Sequence, residues 1–270
     1  MGDQLSDLLD LGEQAVGDLV SFVRSLEESQ GDLPTDLAGW SVRDVVAHTA
    51  HLEAVLAGAP EETVEVPEDL EHVRGTMGTY TEQGVIARRD RSLASLADEI
   101  EDATARRTSA LRADPPDLSS PAPGGFGALG WTWQVLLGNR PLDVWVHEQD
   151  LRHAVGRSVN LDCAASRHVV ATFTGSFGLV VAKRAKARPG QVVALEITDD
   201  PERVVVTVDE NGRGVAATVD TEPDVTLRMD TETYVLLSAG RRDPAALDVE
   251  VSGDDSGLAE RILGAMALTP

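Results

Sequence analysis

Three residues of this 270-residue chain stand out for their chemistry: Asp143 and His147, four apart, and His48, far upstream. On a helix, positions i and i+4 project from one face, a turn apart. Leu136, Arg140, Leu151 and Ala154 share roughly the face of Asp143 and His147. That face therefore points inward, and a buried carboxylate and imidazole need a partner. His48 falls in line with Val45, Leu52 and Val55, again on an apolar face. Two imidazoles and one carboxylate are a common catalytic donor set for zinc, with one position left open. Other divalent metals accept the same donors. Spacing alone leaves two plainer readings open, a hydrogen-bonded Asp–His pair and a satisfied core histidine. His51 lies near the same apolar face but off-centre; as a fourth protein ligand it would make the metal structural.

The elements that must position these residues are legible from periodicity. Leu5, Leu8, Leu9, Ala15, Val16, Leu19, Val20, Val23 and Leu26 recur at helical spacing, and Gly31 and Pro34 break that run. Ser41, three residues before Asp44, is an N-cap ahead of a second helix that runs to about Leu56, with Gly58 and Pro60 ending it. A third helix is predicted from about Thr79 to Leu111. The Pro- and Gly-rich stretch Pro115–Gly130 reads as a loop, and a fourth helix contains Trp145 and ends near Gly156. Four such helices predict a four-helix bundle.

The period then changes. Val192–Ile197, Arg203–Val208, Val215–Val219 and Val225–Met229 are short β-branched runs, with a tight turn at Asp209, Asn211 and Gly212. Val169–Val181 is a helix candidate despite its β-branched residues. Thr231–Ala239 and Gly257–Met266 read as helices. The expected organisation is α then α+β: a helical bundle over residues 1–158, then a smaller domain with an antiparallel sheet over 162–270.

The segment Gly39-Trp40-Ser41-Val42-Arg43-Asp44-Val45-Val46-Ala47-His48 resembles the helix-two signature of mycothiol-dependent maleylpyruvate isomerases, which are DinB-like metal-binding bundles. Arg140-Pro141-Leu142-Asp143-Val144-Trp145-Val146-His147-Glu148-Gln149-Asp150 resembles their helix-four signature. Gly240-Arg241-Arg242-Asp243-Pro244 and Gly253-Asp254 resemble their sterol-carrier-like second domain. The resemblance implies that His48, Asp143 and His147 hold a divalent metal, zinc in the first instance, with mycothiol as the thiol cofactor. Asp143 stands where the family has Glu, one methylene longer. The implied chemistry is metal activation of a small-molecule thiol. The thiolate adds to a conjugated double bond of an electrophilic substrate, and rotation and elimination give the trans isomer; S-transfer is the other outcome. A non-catalytic binding protein, with a structural metal and an apolar ligand in the second domain, is the alternative.

Three further residues are candidates for supporting roles. Arg89 shares a face with Val85, Leu93 and Leu96 and suits a substrate carboxylate, or else an internal ion pair. Arg241 follows Gly240 at a helix end, to reach across the expected domain interface or to cap that helix. Asp150, three residues past His147, suits an acceptor that orients an imidazole, or a plain surface acid. His72, His153 and His168 read as surface or structural.

Composition excludes some classes of partner. The formal net charge is −23, from 23 basic and 46 acidic residues, so nucleic acid and anionic membranes are disfavoured. The cluster Lys183, Arg184, Lys186 and Arg188 reads as a solvated loop. No stretch is apolar enough to span a bilayer, and Met1–Leu11 is acidic rather than signal-like. The single cysteine, Cys163, allows no intrachain disulfide and reads as a small buried apolar residue. A cytoplasmic monomer is expected. Only two of the basic residues are Lys, as in proteins from high-GC genomes.

Overall fold

A computed structural model describes residues 2–200 and 203–269. The chain divides into two compact units, Met1–Ser166 and Arg167–Pro270. The first is helical: α1 (Gly2–Arg24), α2 (Val42–Leu56), α3 (Gly75–Ile86), α4 (Leu93–Ala113), the short α5 (Gly124–Ala128) and α6 (Trp133–Ala154). Helix α1 packs on α4 and α6, and α2 packs on α3, α4 and α6. Leu19, Leu96, Ile100, Leu136, Trp145 and Leu151 are fully buried. At one end Leu5 and Leu9 of α1 meet Leu111 and Leu137.

The start of α2 is specified locally. The Ser41 side chain accepts the Asp44 amide, and the Asp44 carboxylate accepts the Ser41 amide, a reciprocal cap. Such caps contribute about 1 kcal/mol. The cap of α6 is one-sided: the Thr132 side chain accepts from the Val135 amide.

The single helix expected over Thr79–Leu111 is two helices, α3 and α4, separated at Ala87–Ser92. The Ser92 side chain accepts the Ser95 amide and so starts a new helix. Arg88, in the break, is buried, with its guanidinium held by Glu62 and Glu99. The loop expected over Pro115–Gly130 also contains α5, a single helical turn.

The second unit contains α7 (Ala164–Gly175, beginning at the end of the first unit), α8 (Phe177–Leu179), β1 (Val192–Ile197), β2 (Arg203–Val208), β3 (Gly214–Ala216), β4 (Val225–Met229), α9 (Thr231–Ser238), β5 (Glu250–Gly253) and α10 (Ser256–Leu263). The five-stranded sheet has the order β3-β2-β1-β4-β5. It is antiparallel except between β1 and β4, which run parallel with Leu195 opposite Leu227. Alternating β-branched residues specify a strand but not the direction of its neighbour. The third strand stops at Ala216, short of the expected Val219. Strand β5 was not expected; it is a short, fully exposed edge, the kind that carries little apolar pattern. Lys183, Arg184, Lys186 and Arg188 are all exposed, as expected, but Lys183 and Arg184 end a helical turn, Val180–Arg184, rather than lying in a loop.

Candidate metal centre

Helices α2 and α6 bring His48, Asp143 and His147 together, with one ligand atom from each lying within 4.8 Å of the others. The closest approaches are 3.7 Å from His147 Nε2 to Asp143 Oδ1 and 4.0 Å from His48 Nε2 to Asp143 Oδ2. These separations are too long for hydrogen bonds. Two donors about 2.1 Å from a tetrahedral zinc stand about 3.4 Å apart, so a modest contraction would bring this set onto one ion. The imidazoles of His48 and His147 meet nearly edge to face, 5.0 Å between centroids.

The protonation pattern suits cation binding. Burial, and then the neighbouring His147, push His48 down to about 3, against the pull of Asp143. His48 is thus neutral near pH 7, with a lone pair to give. Its Nδ1 is buried with no hydrogen-bond partner among the described residues. His147 Nδ1 lies 3.0 Å from Asp150 Oδ2. A carboxylate only accepts, so Nδ1 carries the proton and Nε2 is left as the donor atom. Burial alone would raise the Asp143 carboxyl, but Arg140, His147 and His48 hold it well below the usual carboxylate range.

Behind Asp143 lies a buried chain of charges that the sequence reading missed. Arg140 Nη1 donates to Asp143 Oδ2 at 2.8 Å, while its Nε and Nη2 donate to Glu53 Oε1 at 3.1 and 2.9 Å. Glu53 is fully buried on α2, and its other oxygen meets Arg107 Nη1 at 2.8 Å and the Thr104 hydroxyl at 2.9 Å, both from α4. Burial favours the neutral Glu53, but the Arg107 and Arg140 guanidiniums outweigh it and keep the carboxylate ionised. A signal existed in the sequence: Arg140 sits one turn before Asp143 on an otherwise apolar face.

Trp40 forms one wall. Its ring centroid lies 5.0 Å from that of His48 and 6.5 Å from that of His147. Its Nε1 donates to Glu82 Oε2 at 2.9 Å, an oxygen that also faces His72 Nε2 at 3.1 Å. The His72 ring covers Gly39, whose φ of 82° and lack of a Cβ make that approach feasible.

The other candidates are placed as follows. Asp150 is buried and faces His147. Arg89 is engaged elsewhere: its Nε and Nη2 donate to Asp44 and Glu82, both at 2.9 Å, which is the ion-pair alternative. In the second unit, Arg241 Nη1 donates to the Ala239 carbonyl at 2.7 Å, which is the helix-end alternative. His51 does not join the three donors. It is buried against Tyr80, and neither ring nitrogen has a hydrogen-bond partner among the described residues. A Cβ on Gly84 would fall 2.1 Å from the His51 Cγ, so only glycine fits there. Cys163 is buried, with its Sγ near the Asn160 carbonyl and the Ser166 amide, and burial pushes its thiol up.

Among solved structures, the crystal structure of the mycothiol-dependent maleylpyruvate isomerase is similar over 92% of both chains, at 17% identity and a TM-score of 0.59. A crystal structure of a histidine-to-alanine mutant of that enzyme is similar over the same shares, at 17% identity and a TM-score of 0.58. These likenesses are in fold. No curated protein sequence matches the chain. The model of the mycothiol maleylpyruvate isomerase N-terminal domain matches residues 13–152, and that of the corresponding C-terminal domain matches residues 164–260. The chain, whose helical unit carries His48, Asp143 and His147 on α2 and α6, belongs to the mycothiol-dependent maleylpyruvate isomerase family.

Proposed function

We propose that this protein is an enzyme that holds one divalent metal, zinc in the first instance, on His48, Asp143 and His147, and uses it to activate mycothiol toward a small electrophile. The observation that carries the reading is the convergence of two imidazoles and one ionised carboxylate at separations too long for mutual hydrogen bonds. A metal held by these donors would supply a Lewis acid that favours thiolate over thiol at neutral pH.

The residues themselves divide the remaining work. Asp150 keeps the proton on His147 Nδ1, so that Nε2 faces inward. Arg140 holds the Asp143 carboxylate ionised and fixed. Trp40 shields one side of both imidazoles, while the Asp143 side chain, 26% exposed, leaves a way in for a ligand. Cys163 does not supply the thiol, since it is engaged elsewhere and burial pushes its thiol up. The charges favour an anionic guest. Arg107, Glu53, Arg140 and Asp143 cancel in pairs, and a divalent ion set against the Asp150 carboxylate leaves one positive charge, which a thiolate would neutralise.

The reaction class is thiol addition to a conjugated double bond followed by rotation and elimination, as in maleylpyruvate isomerisation, or S-transfer to the same kind of electrophile. The non-catalytic alternative needs a fourth protein ligand, and no other His, Cys, Asp or Glu among the described residues joins the group. Cobalt substitution followed by mycothiol titration tests the reading. Sulfur coordination brings up a charge-transfer absorption, with proton release. A fully cobalt-loaded protein showing neither signal at saturating mycothiol would overturn it.

A further inference from the structure

We propose that Arg140 is a positioning residue that limits Asp143 to giving a metal one carboxylate oxygen, Oδ1, and so keeps coordination positions open for ligands from solution. The inference rests on the metal reading above and concerns what the protein does to its own ligand.

Three observations support it. First, Arg140 has no freedom to turn away. It is 3% exposed, and Nε, Nη1 and Nη2 are all engaged, two with Glu53 and one with Asp143. A guanidinium is a rigid planar fork, so fixing one edge on Glu53 fixes the direction of the other.

Second, the anchor is itself anchored. Glu53 is fully buried and takes Arg107 and the Thr104 hydroxyl on its second oxygen. The relay therefore runs from α4 through α2 to α6, and a shift of Arg140 would leave a buried carboxylate short of a partner. Breaking such a pair is strongly unfavourable.

Third, Arg140 takes one particular oxygen. Nη1 donates to Asp143 Oδ2, the oxygen that lies 4.0 Å from His48 Nε2, whereas Oδ1 accepts no hydrogen bond among the described residues and comes closer to an imidazole, 3.7 Å from His147 Nε2. The two oxygens of one carboxylate are thus made unequal. A carboxylate giving both oxygens would fill one more position with protein, whereas a single oxygen beside two imidazoles leaves a three-donor set with room for a thiol and a substrate.

The test uses the full chain. Arg140→Lys keeps a charge beside Glu53 but cannot span two carboxylates; Arg140→Met removes both interactions. Circular dichroism and Tm establish that each is folded, and metal content is measured first on the wild type. The expected result is that wild-type protein loaded with cobalt shows the intense visible bands of four-coordinate cobalt. The variants should bind with about 10-fold or greater weakening, and with weaker, shifted bands of higher coordination.

A second measurement needs no variant at position 140. In the zinc-minus-apo infrared difference spectrum of the wild type, assigned by its loss in Asp143→Asn, one-oxygen ligation gives a wide separation of the carboxylate stretches. A narrow separation, which marks two-oxygen ligation, would overturn the proposal even if both Arg140 variants fail to fold. So would folded variants with wild-type spectra and affinity. A wild type that takes up no metal defeats the functional reading and this inference with it. A wild type that binds metal but gives the narrow separation defeats this inference alone.

Discussion

The indole of Trp40 packs 5.0 Å from the imidazole of His48, centroid to centroid, tilted by 40°. A proposed metal ligand thus has a fluorophore against its ring. Cobalt added to metal-free protein should quench part of the tryptophan emission, and Trp40→Phe should remove most of that quench. The other tryptophans, Trp131, Trp133 and Trp145, supply the residual signal. An unchanged quench in the variant would place the ion elsewhere.

Asp143 and Asp150 should both affect metal affinity, for different reasons. Asp143→Asn keeps the shape but removes the charge of a direct donor. Asp150→Ala leaves all three donors in place but removes the acceptor that sets the His147 tautomer. Competition with a chelator should show weakening of about 10- to 100-fold for Asp150→Ala, and at least as much for Asp143→Asn. Removing the metal should lower Tm in the wild type, because an ion that binds only the folded state stabilises it. Equal affinity in Asp150→Ala would make Asp150 a structural acid only.

Glu53→Gln should be among the most destabilising single changes in the helical unit. It leaves Arg107 and Arg140 buried with their shared counter-charge gone, at a cost of about 3–5 kcal/mol. Chemical denaturation measures it. The double change Glu53→Gln, Arg107→Met should recover part of the loss, because it removes one stranded charge. If the two changes simply added, the pair would not be coupled.

His51 allows a pH prediction with a definite sign. Burial, and then Arg88, push its imidazole down to about 4, against Glu62 and Glu99. The unfolded chain therefore binds more protons than the folded one between about pH 4 and the ordinary histidine pKa of about 6.5. Stability should be fully present above about 6.5 and fall as the pH drops toward 4. His51→Leu should flatten that part of the Tm–pH curve and leave metal content unchanged. Loss of metal in a folded His51→Leu protein would revive the fourth-ligand alternative.

Much of the architecture was local enough to read from the sequence. The helical stripes of α1, α2 and α6, the Ser41–Asp44 cap and the β-branched runs that became β1, β2 and β4 follow from periods of 3.6 and 2, which each segment carries by itself. The spacing of Asp143 and His147 placed both on one turn-to-turn face, and the apolar neighbours of His48 turned it inward. The partner opposite each of these faces was not local information. Periodicity continued across Ala87–Ser92, where a capping serine and a buried arginine, matched to carboxylates distant in sequence, end one helix and begin another. Arg89 and Arg140 looked alike as inward arginines. Only the packing decided that Arg89 is held by Asp44 and Glu82, while Arg140 bridges Glu53 to Asp143. The parallel pairing of β1 with β4 has the same origin. Sequence spacing sets which side chains share a face of one element, and tertiary packing alone decides which charges that face meets.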